Sequence, residues 1–165
     1  MLIQGVFMYV RYEDEVFENV DAVAIIKGST AYPAIRGIVR FYQTDHGVYV
    51  VTSISGLPRG ENTCQSPILA MHIHDGDSCD GRGGDSAFPL SGNHYNPNEC
   101  EHPYHAGDLP PLFSADSIAM SSVLTNRFKV RDIVGKTVII HSGIDDFTSQ
   151  PAGNAGEKIA CGIIQ

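Results

Sequence analysis

The sequence predicts an all-β fold, a sandwich or flattened barrel, on three observations. About seven or eight short segments read as strands, several of them closed by turn residues such as Gly28-Ser29, Asp45-His46-Gly47 and Gly56-Leu57-Pro58. No long amphipathic helical pattern and no internal repeat interrupts them. Two long polar, glycine-rich stretches, 75–111 and 145–156, lie between strand candidates. Loops of that length in a compact domain usually carry function or are held by something else.

Residues 1–20 end in the acidic stretch Glu13-Asp14-Glu15 to Glu18 and are expected to form an arm or an added edge strand, with the domain proper spanning 21–165. Ala22 to Ile26 is a short apolar strand closed by Gly28-Ser29. In the next run, Arg36 and Arg40 fall on one face and Ile35, Val39 and Phe41 on the other, the period of two expected of a half-buried strand. Asp45-His46-Gly47 turns the chain and Val48 to Ile54 returns, which completes a β-hairpin. Gly56-Leu57-Pro58 breaks the pattern, and Pro67 to His74 is the next strand. The stretch from Asp75 to Pro111 is read as loop. Ser117–Leu124, Thr137–His141 and Lys158–Ile164 are read as strands, with a helical turn at Val130–Val134.

A length of 165 residues fits one domain, large enough to bury roughly 70% of its unfolded surface. The net charge of −8 argues against nucleic acid and anionic membranes as partners. No apolar run approaches the roughly 20 residues of a membrane span. Met1–Val10 is apolar but lacks a basic leader and a small-residue cleavage site, so no secretory leader is read there; the compartment is left open, cytoplasmic as the chain stands and extracytoplasmic if a leader was removed. Disulfides would point instead to an oxidising compartment. The four cysteines, Cys64, Cys79, Cys100 and Cys161, allow three pairings, among which sequence alone does not choose.

Most chemistry-bearing residues lie between Met71 and Asp108. His72 and His74 sit two apart in a strand and face the same way, opposite Met71 and Ile73. Two imidazoles on one face of a rigid strand make half of a transition-metal site. His94, His102, His105, Asp108 and the distant His141 complete a set of six histidines and one carboxylate. Imidazole suits copper and zinc, and three imidazoles with a carboxylate suit a closed zinc site. Other features are set aside. His46 reads as a turn residue, and Arg82 and Asp85 read as solvated or salt-bridged loop residues. Gly135-Lys136-Thr137 lacks the first glycine of a phosphate loop, because Val130 stands in its place.

The segments His72-Ile73-His74, Gly92-Asn93-His94-Tyr95-Asn96-Pro97, His105-Ala106-Gly107-Asp108-Leu109, Ile139-Ile140-His141 with Asp145-Asp146, and Gly153-Asn154-Ala155-Gly156 running into Ala160-Cys161-Gly162 closely resemble those of the copper,zinc superoxide dismutases. The resemblance covers about residues 21–165. It implies an eight-stranded Greek-key sandwich of immunoglobulin-like architecture with two long functional loops. It also implies copper on His72, His74, His94 and His141, and zinc on His94, His102, His105 and Asp108, with His94 shared. Asp145 would join a copper histidine to a zinc histidine, and Cys79 would pair with Cys161. Cys64 and Cys100 are left either as a second bridge or as two free thiols.

The activity implied is conversion of superoxide to dioxygen and hydrogen peroxide, with a copper-buffering protein of low turnover as the alternative. Superoxide is then the expected partner, and homodimer formation is left open. Where the family carries an arginine for anion guidance, this chain has Lys158, which keeps the charge but loses the planar fork. The stretch Asp146–Ala152 is shorter than the family's charged loop, and His102 and His105 are more closely spaced than is usual there.

Overall fold

The computed structural model describes residues 19–65, 67–83 and 86–165. The arm expected over residues 1–20 lies almost wholly outside the described residues, as does Asp85. Eight strands are formed among the described residues: β1 Ala22–Gly28, β2 Arg36–Thr44, β3 Gly47–Ser55, β4 Ile68–His74, β5 Asp108–Phe113, β6 Ile118–Thr125, β7 Thr137–His141 and β8 Lys158–Ile163. A four-residue helix, α1 Val130–Ile133, stands where a helical turn was expected. No helix among the described residues is long and apolar enough to cross a membrane.

The strands form one antiparallel sheet in the order β5-β4-β7-β8-β1-β2-β3-β6. Its two end strands, β5 and β6, lie against each other and are connected by a turn closed at Ala115–Ile118, so the sheet curls into a nearly closed barrel. Alternation sets which side chains go inside. On β3, Val48, Val50, Thr52 and Ile54 are buried while their neighbours are partly exposed. On β2, Val39 and Phe41 are buried and Arg36 is exposed, as the period of two requires.

The strands β4, β7 and β8 depart from this pattern, because nearly every residue on them is buried. Their inner faces, with Met71, Ile73, Val138, Ile140 and Ile159, join the main core. Their outer faces are covered by the two long loops. A second, small cluster of Phe88, Ile139 and Cys161 fills part of that outer layer, and the disulfide Cys79–Cys161 ties the first loop to β8.

One element differs from expectation. The stretch 75–111 is not loop throughout: it contains a 3-10 turn at Pro89–Ser91, and its last four residues open β5. The run Asp108-Leu109-Pro110-Pro111 hides this strand, since proline cannot donate to a ladder. β5 tolerates both prolines because it is an end strand, paired by main-chain bonds with β4 alone among the described residues.

Candidate metal centre

Strand register brings the first candidate ligands together. His72 stands opposite Asp108 of β5 on one side and Ile139 of β7 on the other. His141 ends β7 on the same outer face. The first loop folds back so that His94 bridges to His74 through the main chain. The loop continues through His102 and His105 to Asp108. All seven residues have 9% or less of their surface exposed, so the groups sit in a region of low dielectric, where unpaired polar atoms are costly.

Two groups of four result. One ligand atom from each of His72, His74, His94 and His141 falls within 4.8 Å of the others, and the same holds for His94, His102, His105 and Asp108. His94 belongs to both. The rings are packed against one another, with His72 and His94 only 4.0 Å apart between centroids.

Four of the six rings are oriented by a bond on the side away from their group. His72 Nε2 lies 2.9 Å from Asp145 Oδ2, and His102 Nε2 lies 2.8 Å from Asp145 Oδ1. Asp145 is buried, so a single carboxylate joins a ring of one group to a ring of the other. His74 Nδ1 lies 2.9 Å from the Gly92 carbonyl, and His141 Nδ1 lies 3.3 Å from the Gly156 carbonyl. A neutral imidazole that donates from one nitrogen carries its lone pair on the other. Those lone pairs converge: His74 Nε2 and His141 Nε2 are 3.2 Å apart.

The buried atoms His72 Nδ1, His94 Nε2 and His102 Nδ1 have no hydrogen-bond partner among the described residues. His102 Nδ1 is 3.1 Å from Asp108 Oδ2 but is not aligned for a hydrogen bond. Buried acceptors without donors fit a bound cation, and two of the three, on His72 and His102, belong to rings pinned at the far side by Asp145. Four imidazoles suit copper, and three imidazoles with one carboxylate suit zinc.

Titration follows burial. Desolvation lowers His72 and His74 from 6.5 to about 2, aided at His72 by the neighbouring His94 and opposed at His74 by the Gly92 carbonyl. His141 falls to about 4, again chiefly by burial, with the Gly156 carbonyl opposing. The neutral rings that metal binding requires are therefore the favoured form. Burial by itself would raise Asp108, but its bond to His94 and the charges of His94, His105 and His102 hold it below the ordinary carboxylate value.

The first group opens on a surface pocket of about 540 Å³ lined by His74, His94, His141, Asn93, Asn96 and Lys158 among others. Lys158 Nζ donates to Ser91 Oγ at 2.8 Å and to the Gly92 carbonyl at 2.9 Å. A larger hollow, about 830 Å³, lies beside the β2–β3 turn and α1. It contains neither group, so size does not mark this site.

The remaining expectations are resolved as follows. The bridge Cys79–Cys161 is formed, whereas Cys64 and Cys100 are free, exposed thiols, so the second bridge is absent. Arg82 is exposed and donates to the Gly28 carbonyl, pinning the first loop to the end of β1. His46 lies in the β2–β3 turn. Lys136, from the rejected phosphate-loop pattern, sits with its Nζ 4.6 Å from the centre of the Tyr95 ring.

Sequence reasoning missed several holding residues. Arg127 Nη1 donates to the carbonyls of Pro103, His105 and Asp108, gathering the stretch that carries two candidate ligands. Gln150 bonds the main chain of His102. Gly153, at φ 65°, leaves room for Asp145 and His102, which a Cβ would strike. None of these has a periodic signature. Only the sign of Arg127 and the glycine in Gly153-Asn154 were visible cues.

Comparison with known proteins agrees with this geometry. The model of the family described as copper/zinc superoxide dismutase matches residues 35–164. The chain is 32% identical over 153 residues to the copper–zinc superoxide dismutase of Legionella pneumophila, an alignment covering 88% of this chain and 87% of that protein. It is 31% identical over 146 residues to copper–zinc superoxide dismutase 2 of Aquifex aeolicus, covering 79% and 80%. It is 32% identical over 164 residues to copper–zinc superoxide dismutase 4 of Dictyostelium discoideum, covering 88% and 97%. Fold, paired ligand groups, disulfide and sequence thus agree, and the chain belongs to the copper/zinc superoxide dismutase family.

Proposed function

We propose that this chain dismutates superoxide, turning two superoxide anions and two protons into one dioxygen and one hydrogen peroxide. In this reading His72, His74, His94 and His141 hold copper, His94, His102, His105 and Asp108 hold zinc, and His94 serves both as an imidazolate. The observation that carries it is the pair of four-ligand groups sharing that one residue. Copper supplies one-electron exchange in both directions, whereas zinc has no redox chemistry and serves structure and imidazole polarity.

The protein's own residues do the rest. Asp145 accepts from His72 Nε2 and His102 Nε2, which fixes both tautomers and turns Nδ1 of each ring toward its group. His94 Nε2 is the atom at which a proton can be held between the two half-reactions. Lys158 places a positive charge on the rim of the pocket of a protein whose net charge is −8. Such a local field raises the capture rate of an anion by about 10- to 10³-fold.

The test is the rate of superoxide decay in the presence of copper- and zinc-loaded protein, with metal content determined on the same sample at low and high salt. Fast decay per bound copper, slowing with salt, supports the reading. Decay at the background rate by fully loaded protein overturns it in favour of a copper-binding protein with little turnover. One observation favours that second reading: two of the three Lys158 donors are already engaged by Ser91 and Gly92.

A further inference from the structure

The segment Ser149-Gln150-Pro151 carries no charge and adds nothing to anion steering, yet Gln150 makes one of the most specific contacts in the second loop. Its Oε1 accepts the His102 main-chain N–H at 3.0 Å, and its Nε2 donates to the His102 carbonyl at 2.7 Å. One side-chain amide thereby satisfies both main-chain groups of a single residue, as a neighbouring strand would.

That residue is a ligand candidate of the second group, and other parts of the same loop hold it too. Asp145 holds its Nε2 at 2.8 Å. Gly153 passes so close to Asp145 and His102 that any side chain there would collide with both. The main chain of Gly153 also accepts from Asp146 and donates to Ser149, which closes the loop on itself around Gln150.

We propose that Gln150 is a positioning residue for zinc. It fixes the main chain of His102 so that Nδ1 stays directed at the second group, while Asp145 fixes the ring. The inference rests on the reading of that group as the zinc site. Two ring torsions separate the backbone of a histidine from its nitrogen, so holding the ring at Nε2 alone leaves the Cα free to drift. Holding the main chain at both polar groups removes that freedom. The need is greatest here because only Pro103 and Tyr104 separate His102 from His105, so the intervening chain has little slack to correct an error.

The test uses the full-length protein with Gln150→Ala and Gln150→Glu. Glu keeps an acceptor for the His102 N–H but has no donor for its carbonyl. Zinc affinity is measured by competition with a chromophoric chelator. Cobalt(II), added to copper-loaded protein in place of zinc, reports ligand geometry through its visible absorption. Gln150→Ala is expected to weaken zinc by about 10- to 100-fold, the range for residues that support a ligand from behind. It is also expected to broaden or shift the cobalt bands while leaving copper affinity unchanged, and to lower the melting temperature of the metal-free protein by only the few degrees that two lost hydrogen bonds account for. Gln150→Glu is expected to fall between the two.

An unchanged zinc affinity and cobalt spectrum in a wild-type-like protein would overturn the positioning role and leave the zinc assignment standing. A fall in copper affinity as large as the fall in zinc affinity would also overturn it, in favour of a general structural role. Wild-type protein that takes up no zinc at this group would overturn the assignment itself.

Discussion

His74 and Lys158 donate to the same oxygen: the Gly92 carbonyl lies 2.9 Å from His74 Nδ1 and 2.9 Å from Lys158 Nζ. The residue proposed to attract the substrate and a residue proposed to hold copper are thus coupled through one peptide group two positions before His94. Lys158 also reaches the buried Ser91 hydroxyl, which in turn donates to Phe88. Burial draws the Lys158 ammonium below the usual lysine value and Asp75 opposes this.

Lys158→Ala is therefore expected to do two things. The rate constant for superoxide should fall by about tenfold or more, and its salt dependence should flatten, because the local positive charge is lost. Gly92 should also be left with one donor fewer. Lys158→Arg should restore the salt dependence. Stopped-flow decay of superoxide across a series of ionic strengths checks both, and an unchanged slope in Lys158→Ala would place the steering charge elsewhere.

Asp145 touches a ring of each group, His72 and His102. Asp145→Asn replaces one acceptor oxygen with a donor, which must face a ring N–H at either His72 or His102. The expected outcome is a loss of about 10- to 100-fold in affinity for at least one metal. Gly153→Ala should act in the same direction by pushing Asp145 aside, at a cost of roughly 1–3 kcal/mol for the positive φ as well. Isothermal titration of each metal into the stripped variants measures the first effect, and urea unfolding measures the second.

The legible part of this protein is the part with a period. Val39 and Phe41, or His72 and His74 against Met71 and Ile73, announce their faces because strand side chains alternate. β5 was hidden because Pro110 and Pro111 suppress the strand signal, and only its place at the end of the sheet makes them tolerable. The ligands were legible as a cluster of unusual composition, but their division into two groups came from resemblance. Gln150 and Ser91 were not legible. Each is an ordinary polar residue in a loop, and its partner lies 48 or 67 residues away in the chain. Nothing local distinguishes such a residue from a solvated one.

The Cys79–Cys161 bridge closes a loop whose ends are 82 positions apart. Chain entropy makes such a crosslink worth roughly 4.5 kcal/mol. Cys161→Ser is therefore expected to lower unfolding free energy by several kcal/mol and to loosen the 3-10 turn at Pro89–Ser91, whose neighbour Phe88 packs with Cys161. Denaturant unfolding with and without reductant checks this. Cys64→Ser and Cys100→Ser, at exposed unpaired positions, should change stability by less than about 0.5 kcal/mol.

Acid should destabilise the metal-free protein well above the range in which carboxylates titrate. His72 and His74 titrate near 2 and His141 near 4 in the fold, against 6.5 for an unburied ring. Between those values the unfolded chain binds protons that the folded chain refuses, so stability rises with pH. The contribution is complete above pH 6.5 and is lost as pH falls toward 4 for His141 and further for the other two. Each such ring contributes a slope of about 1.4 kcal/mol per pH unit, so three together give about 4 kcal/mol per unit between pH 6 and pH 5. Urea midpoints of metal-stripped protein across pH 7.5 to 4.5 measure the slope. The slope should diminish in His72→Gln, which removes one of the three groups, and a flat profile in the wild type would mean that these rings accept protons without unfolding.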